Sequence, residues 1–237
     1  MDAPDLKPGL RELILRALDD PYQSHSCQDE IPTDNHYQSI TLGAETTPGF
    51  RSVRDDVLDR IVFDGKRVLD LGSNLGELSR AARSRGAALV DGFEYDPYFV
   101  EVANAVNAYN GVTRVSFFER DITAPATFTE RYDIVLAFSV FVYVEPLLPL
   151  VTGLTNELFV LETHRLEDNL QDRYVQPVLD LMPCHRRLGD SEWGLVGGDS
   201  GRRAVIAFAR SEETLDRCLR PATESPPGRR RGEVRAA

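Results

Sequence analysis

Five short apolar runs, "RVLDL", "ALVDGFE", "VSFFERD", "YDIVLAF" and "LFVLETH", recur through the middle of the chain with helical stretches between them. Strands separated by helix-length spacers cannot pair as hairpins. They pair in parallel, and the connecting helices cover both faces of the sheet. The runs agree with this, being near-continuously apolar as doubly covered strands must be, where half-exposed strands alternate. Two further strands follow in "CHRRLGDS" and "RRAVIAFAR", with "EWGLVGGDSG" between them. The expected fold class is α/β: a doubly wound, mostly parallel, seven-stranded sheet with helices on both faces and an N-terminal helical lid.

The flanks set the expected domain limits. "LRELILRAL" places Leu10, Leu13, Ile14, Ala17 and Leu18 at helical spacing, which predicts an amphipathic helix. From Asp19 to Arg51 the sequence is polar and broken by Pro21, Pro32, Pro48 and Gly49, yet it carries Tyr22, His25, His36, Tyr37 and Phe50. Long irregular stretches of this kind serve as lids or binding loops. Residues 1–52 are thus read as helix and lid, 53–210 as the core, opening on a helix from Val53 to Ile61, and 211–237 as a disordered tail. The tail's "ATESPPGRRRGEVRAA" has no hydrophobic pattern.

Charge and cysteine usage narrow the function. A net charge of -11 repels polyanions, and no arginine stripe gathers in the body of the chain, so nucleic acid is a poor partner. No run of eighteen apolar residues marks a membrane span, and "MDAPDLKPGLRELIL" is too acidic for a signal peptide, which predicts a soluble cytoplasmic protein. Cys27, Cys184 and Cys218 are scattered, without metal-ligand spacing, so neither a disulfide framework nor a zinc site is expected.

The turn after the first parallel strand, "VLDLGSNLGE", is where such a sheet places its ligand. Asp70 ends the strand, Gly72 permits positive φ and close backbone approach, Ser73 or Asn74 can cap the next helix, and Gly76 lets it pack tightly. Leu75, Leu78 and Ala82 face the sheet. A dinucleotide site wants three glycines spaced GxGxxG, and pyrophosphate beside Asp70 would be repelled. An ammonium and a sulfonium would be attracted.

This motif resembles the first motif of the class I S-adenosylmethionine-dependent methyltransferases, with Asn74 where the middle glycine is commonest, a mild departure because Asn tolerates left-handed backbone. The order of pieces from Phe63 to Leu161 is also similar: a second strand ending in Glu94, a third in Asp121, then "YDIVLAFSVFVYV" as fourth strand and loop. The resemblance implies a Rossmann-like fold and S-adenosylmethionine as cofactor, with Asp70 near the methionyl amino group and the Gly72 to Gly76 backbone, Ser73 and Asn74 included, against methionine and ribose. It implies Glu94 on the ribose hydroxyls, Tyr95 on adenine, Asp121 and Ile122 on the adenine edge, and Phe138 beside the cofactor. Asp96, followed by Pro97, reads instead as a helix N-cap. "HYQSITLGAETTPGFR" and "LFVLETH" are in addition similar to segments of the tRNA wobble-uridine (carboxy)methyltransferase-like group.

Transfer to a hydroxyl needs a base. His164, after the fifth apolar run, is the first candidate and His36 the second. Tyr37, Arg51 and Tyr143 are the candidate substrate contacts, and Glu162 can orient a partner. "AFSVF" lacks the pattern of exocyclic base-amine methylation, and no acid cluster suits a catechol-type metal, so no catalytic metal is expected. Lysine occurs only at Lys7 and Lys66, and this arginine bias points to a GC-rich bacterial genome. The expected acceptor is a small molecule, the hydroxyl of a secondary metabolite, sugar or phenol as in antibiotic biosynthesis. The alternatives are tRNA wobble modification and a non-catalytic S-adenosylmethionine-binding module.

Overall fold

The computed structural model describes residues 36–47, 49–51, 54–163, 174–193 and 201–221. The expected helix at Leu10–Leu18 and the base candidate His164 lie outside them.

Four three-residue strands come first: β1 (His36–Gln38), β2 (Ile40–Leu42), β3 (Glu45–Thr47) and β4 (Gly49–Arg51). Helix α1 (Asp55–Leu58) leads into strand β5 (Arg67–Leu71), helix α2 (Glu77–Ser84), strand β6 (Leu89–Glu94), helix α3 (Pro97–Asn110) and strand β7 (Val115–Glu119). Strand β8 (Tyr132–Phe138), helices α4 (Phe141–Val144) and α5 (Leu148–Leu154), strand β9 (Thr155–Glu162) and helix α6 (Gln176–Leu179) follow. Strands β10 (Cys184–Trp193) and β11 (Gly201–Ala209) and helix α7 (Glu212–Cys218) complete the described chain.

The main sheet runs β1-β4-β10-β11-β9-β8-β5-β6-β7. Its expected seven strands are present, with β7, β6, β5, β8 and β9 parallel and β10 and β11 antiparallel. Apolar side chains leave both faces: Val68, Ile134, Leu136 and Val160 enter one core, and Leu69, Val135, Ala137 and Phe159 enter the other. Two dry faces are what make the strands read as continuous apolar runs.

Three expectations change. The described part of the lid is strand, not irregular chain: β1 lies parallel to β4, which pairs with β10 at Trp193, so the lid extends the sheet. Strands β2 and β3 form a hairpin whose Ile40 is buried against Phe99, Val102 and Val106 of α3, and Asn110 bonds both Gly43 N–H and Thr41 C=O. Residues 211–221, expected as tail, are ordered against the sheet. Ser211 caps α7, whose Leu215 and Cys218 are buried against the sheet, and Leu219 bridges to Ile61; the stretch from 222 on lies outside the described residues. The helix expected from Val53 to Ile61 shrinks to α1, one turn with Arg54 at its N-cap. Among the described residues no helix is long and apolar enough to cross a membrane.

Candidate cofactor and acceptor site

A cavity of about 850 Å³ opens at the carboxyl ends of the parallel strands, lined by Gly72, Asn74, Glu94, Tyr95, Asp121, Ile122, Phe138, Ser139, Val140 and Tyr143 among others. The strand order explains its place: β5 lies between β6 and β8, whose connections leave to opposite sides and open a crevice.

The turn after β5 shapes one wall. Gly72 sits at φ 68°, and a Cβ there would come 2.5 Å from Val140 Cγ1; at Gly76, φ 83°, it would strike the Phe117 ring at 2.1 Å. Only glycine fits either place. Asn74 is left-handed at φ 50°, as its tolerance suggested. Neither Ser73 nor Asn74 caps α2. The N-cap position falls on Gly76, which has no side chain to offer, and the Gln38 side chain reaches across from β1 instead, its Oε1 accepting from Glu77 N–H at 3.2 Å.

Glu94 is held from three sides. Its Oε2 accepts from Asn74 N–H at 2.8 Å, and its Oε1 from Tyr95 and Asp96 N–H at 2.9 and 3.1 Å. Burial raises its proton affinity above the usual carboxylate range, and these amides oppose that. A carboxylate offers about four acceptor positions, so the room left is chiefly on Oε2. Asp121 is exposed, and Thr123 donates to its Oδ1 from both N–H and hydroxyl, lowering its pKa and leaving Oδ2 open. Tyr95 is 72% exposed at the mouth. Asp96 caps α3 through Tyr98 N–H at 2.9 Å, as expected, although it also borders the cavity.

Asp70, Ser73 and Gly76 are not among the lining residues. Asp70, 1% exposed, is turned inward, where it accepts from the Ser79 hydroxyl at 2.6 Å. Burial lifts the Asp70 carboxyl from 3.8 to about 6, against the Ser79 hydrogen bond and the charge of Arg54. Between those values the folded state binds more protons than the unfolded one, so stability falls as pH rises from about 4 to about 6, by about 3 kcal/mol in all. Urea unfolding across that window is expected to show the fall in the native protein and a flatter profile in Asp70→Asn. An equally steep variant overturns the assignment.

At the β8 and β9 ends lies a polar cluster whose members the sequence reading did not single out, apart from Glu162. Fully buried Glu162 accepts from Ser139 and Ser191 hydroxyls at 2.5 Å each and pairs with Arg54 Nε at 2.5 Å and Arg203 Nη1 at 3.8 Å. Arg203 also donates to Ser139 Oγ at 3.0 Å, and Ser139 sits at φ 65°, rare for a residue with a side chain. A serine in this backbone region at a strand end is a signal no composition rule reads. Of the other candidates, Phe138 and Tyr143 line the cavity, while His36 and Tyr37 stand on β1 and Arg51 on β4.

Comparison with known proteins fits this geometry. Residues 68–152 match a methyltransferase domain family. Over 86 residues the chain is 34% identical to the ribosomal protein L11 methyltransferase of Deinococcus radiodurans, a match spanning 35% of this chain and only 32% of that protein. The bifunctional kinase-methyltransferase WbdD superposes with a TM-score of 0.57 at 20% identity, over 81% of this chain and 46% of WbdD. A candidate RNA methyltransferase from Pyrococcus horikoshii gives 0.51 at 20% identity, over 62% and 75%. The last two establish the fold.

Proposed function

We propose that this chain, whose core is a class I S-adenosylmethionine-dependent methyltransferase domain, methylates a hydroxyl of a small molecule. The observation that carries the reading is the cavity of about 850 Å³, which is at the upper end of the range for small-molecule pockets and whose lining is of two kinds. Glu94, Asp121 and the Gly72 turn offer acceptors and close backbone to the cofactor, S-adenosylmethionine. Phe138, Val140 and Tyr143 add apolar surface that suits a compact acceptor.

The cofactor supplies a methyl group on positive sulfur, open to in-line attack. What the chain must add is alignment, a dry site and somewhere for the acceptor's proton to go. Orientation alone is worth several kcal/mol. Glu94 and Asp121 fix the nucleoside end by accepting hydrogen bonds. Phe138, Val140 and Tyr143 exclude water at the acceptor end. His164 is the proposed base, with His36 behind it, and Tyr37 and Arg51 are proposed acceptor contacts. The net charge of -11 favours a small or cationic acceptor over RNA.

Methyl transfer from labelled cofactor to a panel of phenols, sugars and polyketides, with bulk tRNA and ribosomal protein alongside, tests the reading. Label is expected in a small hydroxyl compound, and His164→Gln is expected to slow that transfer by about 10²-fold without changing cofactor affinity. Label in tRNA, with a complex that weakens as a high power of salt concentration, would make RNA the acceptor. Label in neither, with the cofactor bound, would leave a binding module.

A further inference from the structure

The helices cover one face of the sheet unevenly. On the face that holds Leu69, Val135 and Phe159, helix α4 packs on β8 and α5 on β9. The connection from β7 to β8, residues 120–131, has only a single 3₁₀ turn, Pro125–Thr127. Over β6 and β7 a groove of about 140 Å³ is left, with buried Asp91, Phe93, Phe128 and Tyr132 as its floor. Among the described residues none lines both this groove and the cofactor cavity. The connecting loop separates the two: it sends Asp121 and Ile122 to the cavity, and Thr127, Phe128, Thr129 and Glu130 to the groove.

The floor carries an unmet hydrogen-bond acceptor. Asp91 is 7% exposed, and its Oδ2 accepts from the Tyr132 hydroxyl at 3.0 Å and from Arg67 Nη2 at 3.3 Å, while Oδ1 has no donor among the described residues. Buried carboxylates normally fill their acceptor positions, so one that keeps an oxygen for a groove is set to take a donor from outside the chain. The local charge favours a cationic donor. Arg67 pairs with both Asp91 and Glu130, so two acids share one guanidinium. Arg120, the other cation at the groove, is exposed, lies 5.8 Å from the centre of the Phe118 ring and donates to Glu119 C=O at 2.9 Å, where solvent screens it.

The walls are aromatic. Phe118 meets Phe93 edge-on, with ring centres 6.3 Å apart and planes at 85°, and the Phe128 ring stands 6.5 Å from that of Phe93. Ring faces attract a cation, and a cavity of about 150 Å³ is enough to hold benzene. The groove thus has room for one ring or a short alkyl group beside an ammonium.

We propose that this groove is a second binding site, which takes a compact apolar molecule bearing one ammonium group. The ammonium donates to Asp91 Oδ1, and the apolar body lies among Phe93, Phe118 and Phe128. The site stands independently of the cofactor reading and fills whether the cofactor cavity is occupied or empty.

Benzylamine and benzyl alcohol, alike in shape and different in charge at neutral pH, are the probes, titrated against the protein by calorimetry with and without S-adenosylhomocysteine. The native protein is expected to bind benzylamine at least about fivefold more tightly than the alcohol in both conditions, because a charge-assisted hydrogen bond is roughly twice as strong as a neutral one. Asp91→Asn should bind the two probes alike. Thr129→Trp places a large ring at an exposed position of the groove, should bind neither probe, and keeps the test decisive if the Asp91 variant fails to fold. A native protein that binds neither probe or both alike, an Asp91→Asn protein that keeps the preference, or a Thr129→Trp protein that binds benzylamine as the native does overturns the proposal. Benzylamine binding that disappears when S-adenosylhomocysteine is added places the amine in the cofactor cavity and overturns it as well.

Discussion

Replacing Glu162 with alanine is expected to lower the free energy of unfolding by about 3–5 kcal/mol, the cost of removing one partner from a buried ion pair. The reason is in the surroundings. Arg54 and Arg203 are 8% and 7% exposed, and both point at this one carboxylate, with Ser139 and Ser191 donating to it as well. Without it two guanidiniums lie near each other in a region with little water to screen them. A domain has about 5–15 kcal/mol in all, so the variant should be at or beyond the edge of folding.

A second variant separates charge from packing. Replacing Arg54, Glu162 and Arg203 together by methionine or leucine removes every uncompensated charge, and should be less destabilised than Glu162→Ala, since apolar sets of similar volume often replace such clusters at little cost. Chemical unfolding of the three proteins decides it. A single variant within about 1 kcal/mol of native would show that the cluster contributes little.

The contrast between what was legible in the chain and what was not has a physical basis. Asp70 and Glu94 could be placed because each ends a run of apolar residues, and two dry faces leave a strong mark on a sequence. Asp96 followed by Pro97 is equally plain, since capping and fixed φ are local properties. The lid strands are three residues each, too short for a period of two to declare itself, and their partners lie far off in sequence. The Glu162 cluster draws Arg54, Ser139, Ser191 and Arg203 from four separate segments, so nothing local links them. Helix α7 was readable: Ser211 before two acids, with Leu215, Cys218 and Leu219 at helical spacing, is a capped amphipathic turn that the adjoining Pro- and Arg-rich stretch obscured.

Glu94→Gln carries the second large expected effect, a loss of about 100-fold in affinity for S-adenosylhomocysteine. Glutamine has nearly the shape of glutamate, but where the carboxylate presents two acceptors the amide presents one acceptor and one donor. If the amide oxygen keeps the Tyr95 and Asp96 N–H groups, its NH₂ is turned against Asn74 N–H; in the other orientation it is turned against the other two. Either way a donor meets a donor, and the link between the glycine turn and the end of β6 is broken on one side. The acceptor room on Oε2 that a ribose hydroxyl would use goes with it, and a hydrogen bond to a charged group is worth about 1.5–3 kcal/mol. Calorimetry with S-adenosylhomocysteine and with an analogue lacking the ribose hydroxyls reads the two losses apart. The native protein should prefer the hydroxylated ligand, and the variant should bind both weakly and alike. A variant that retains native affinity, or that keeps the native preference for the ribose hydroxyls, would mean that another group receives the sugar and that Glu94 serves only to knit the turn.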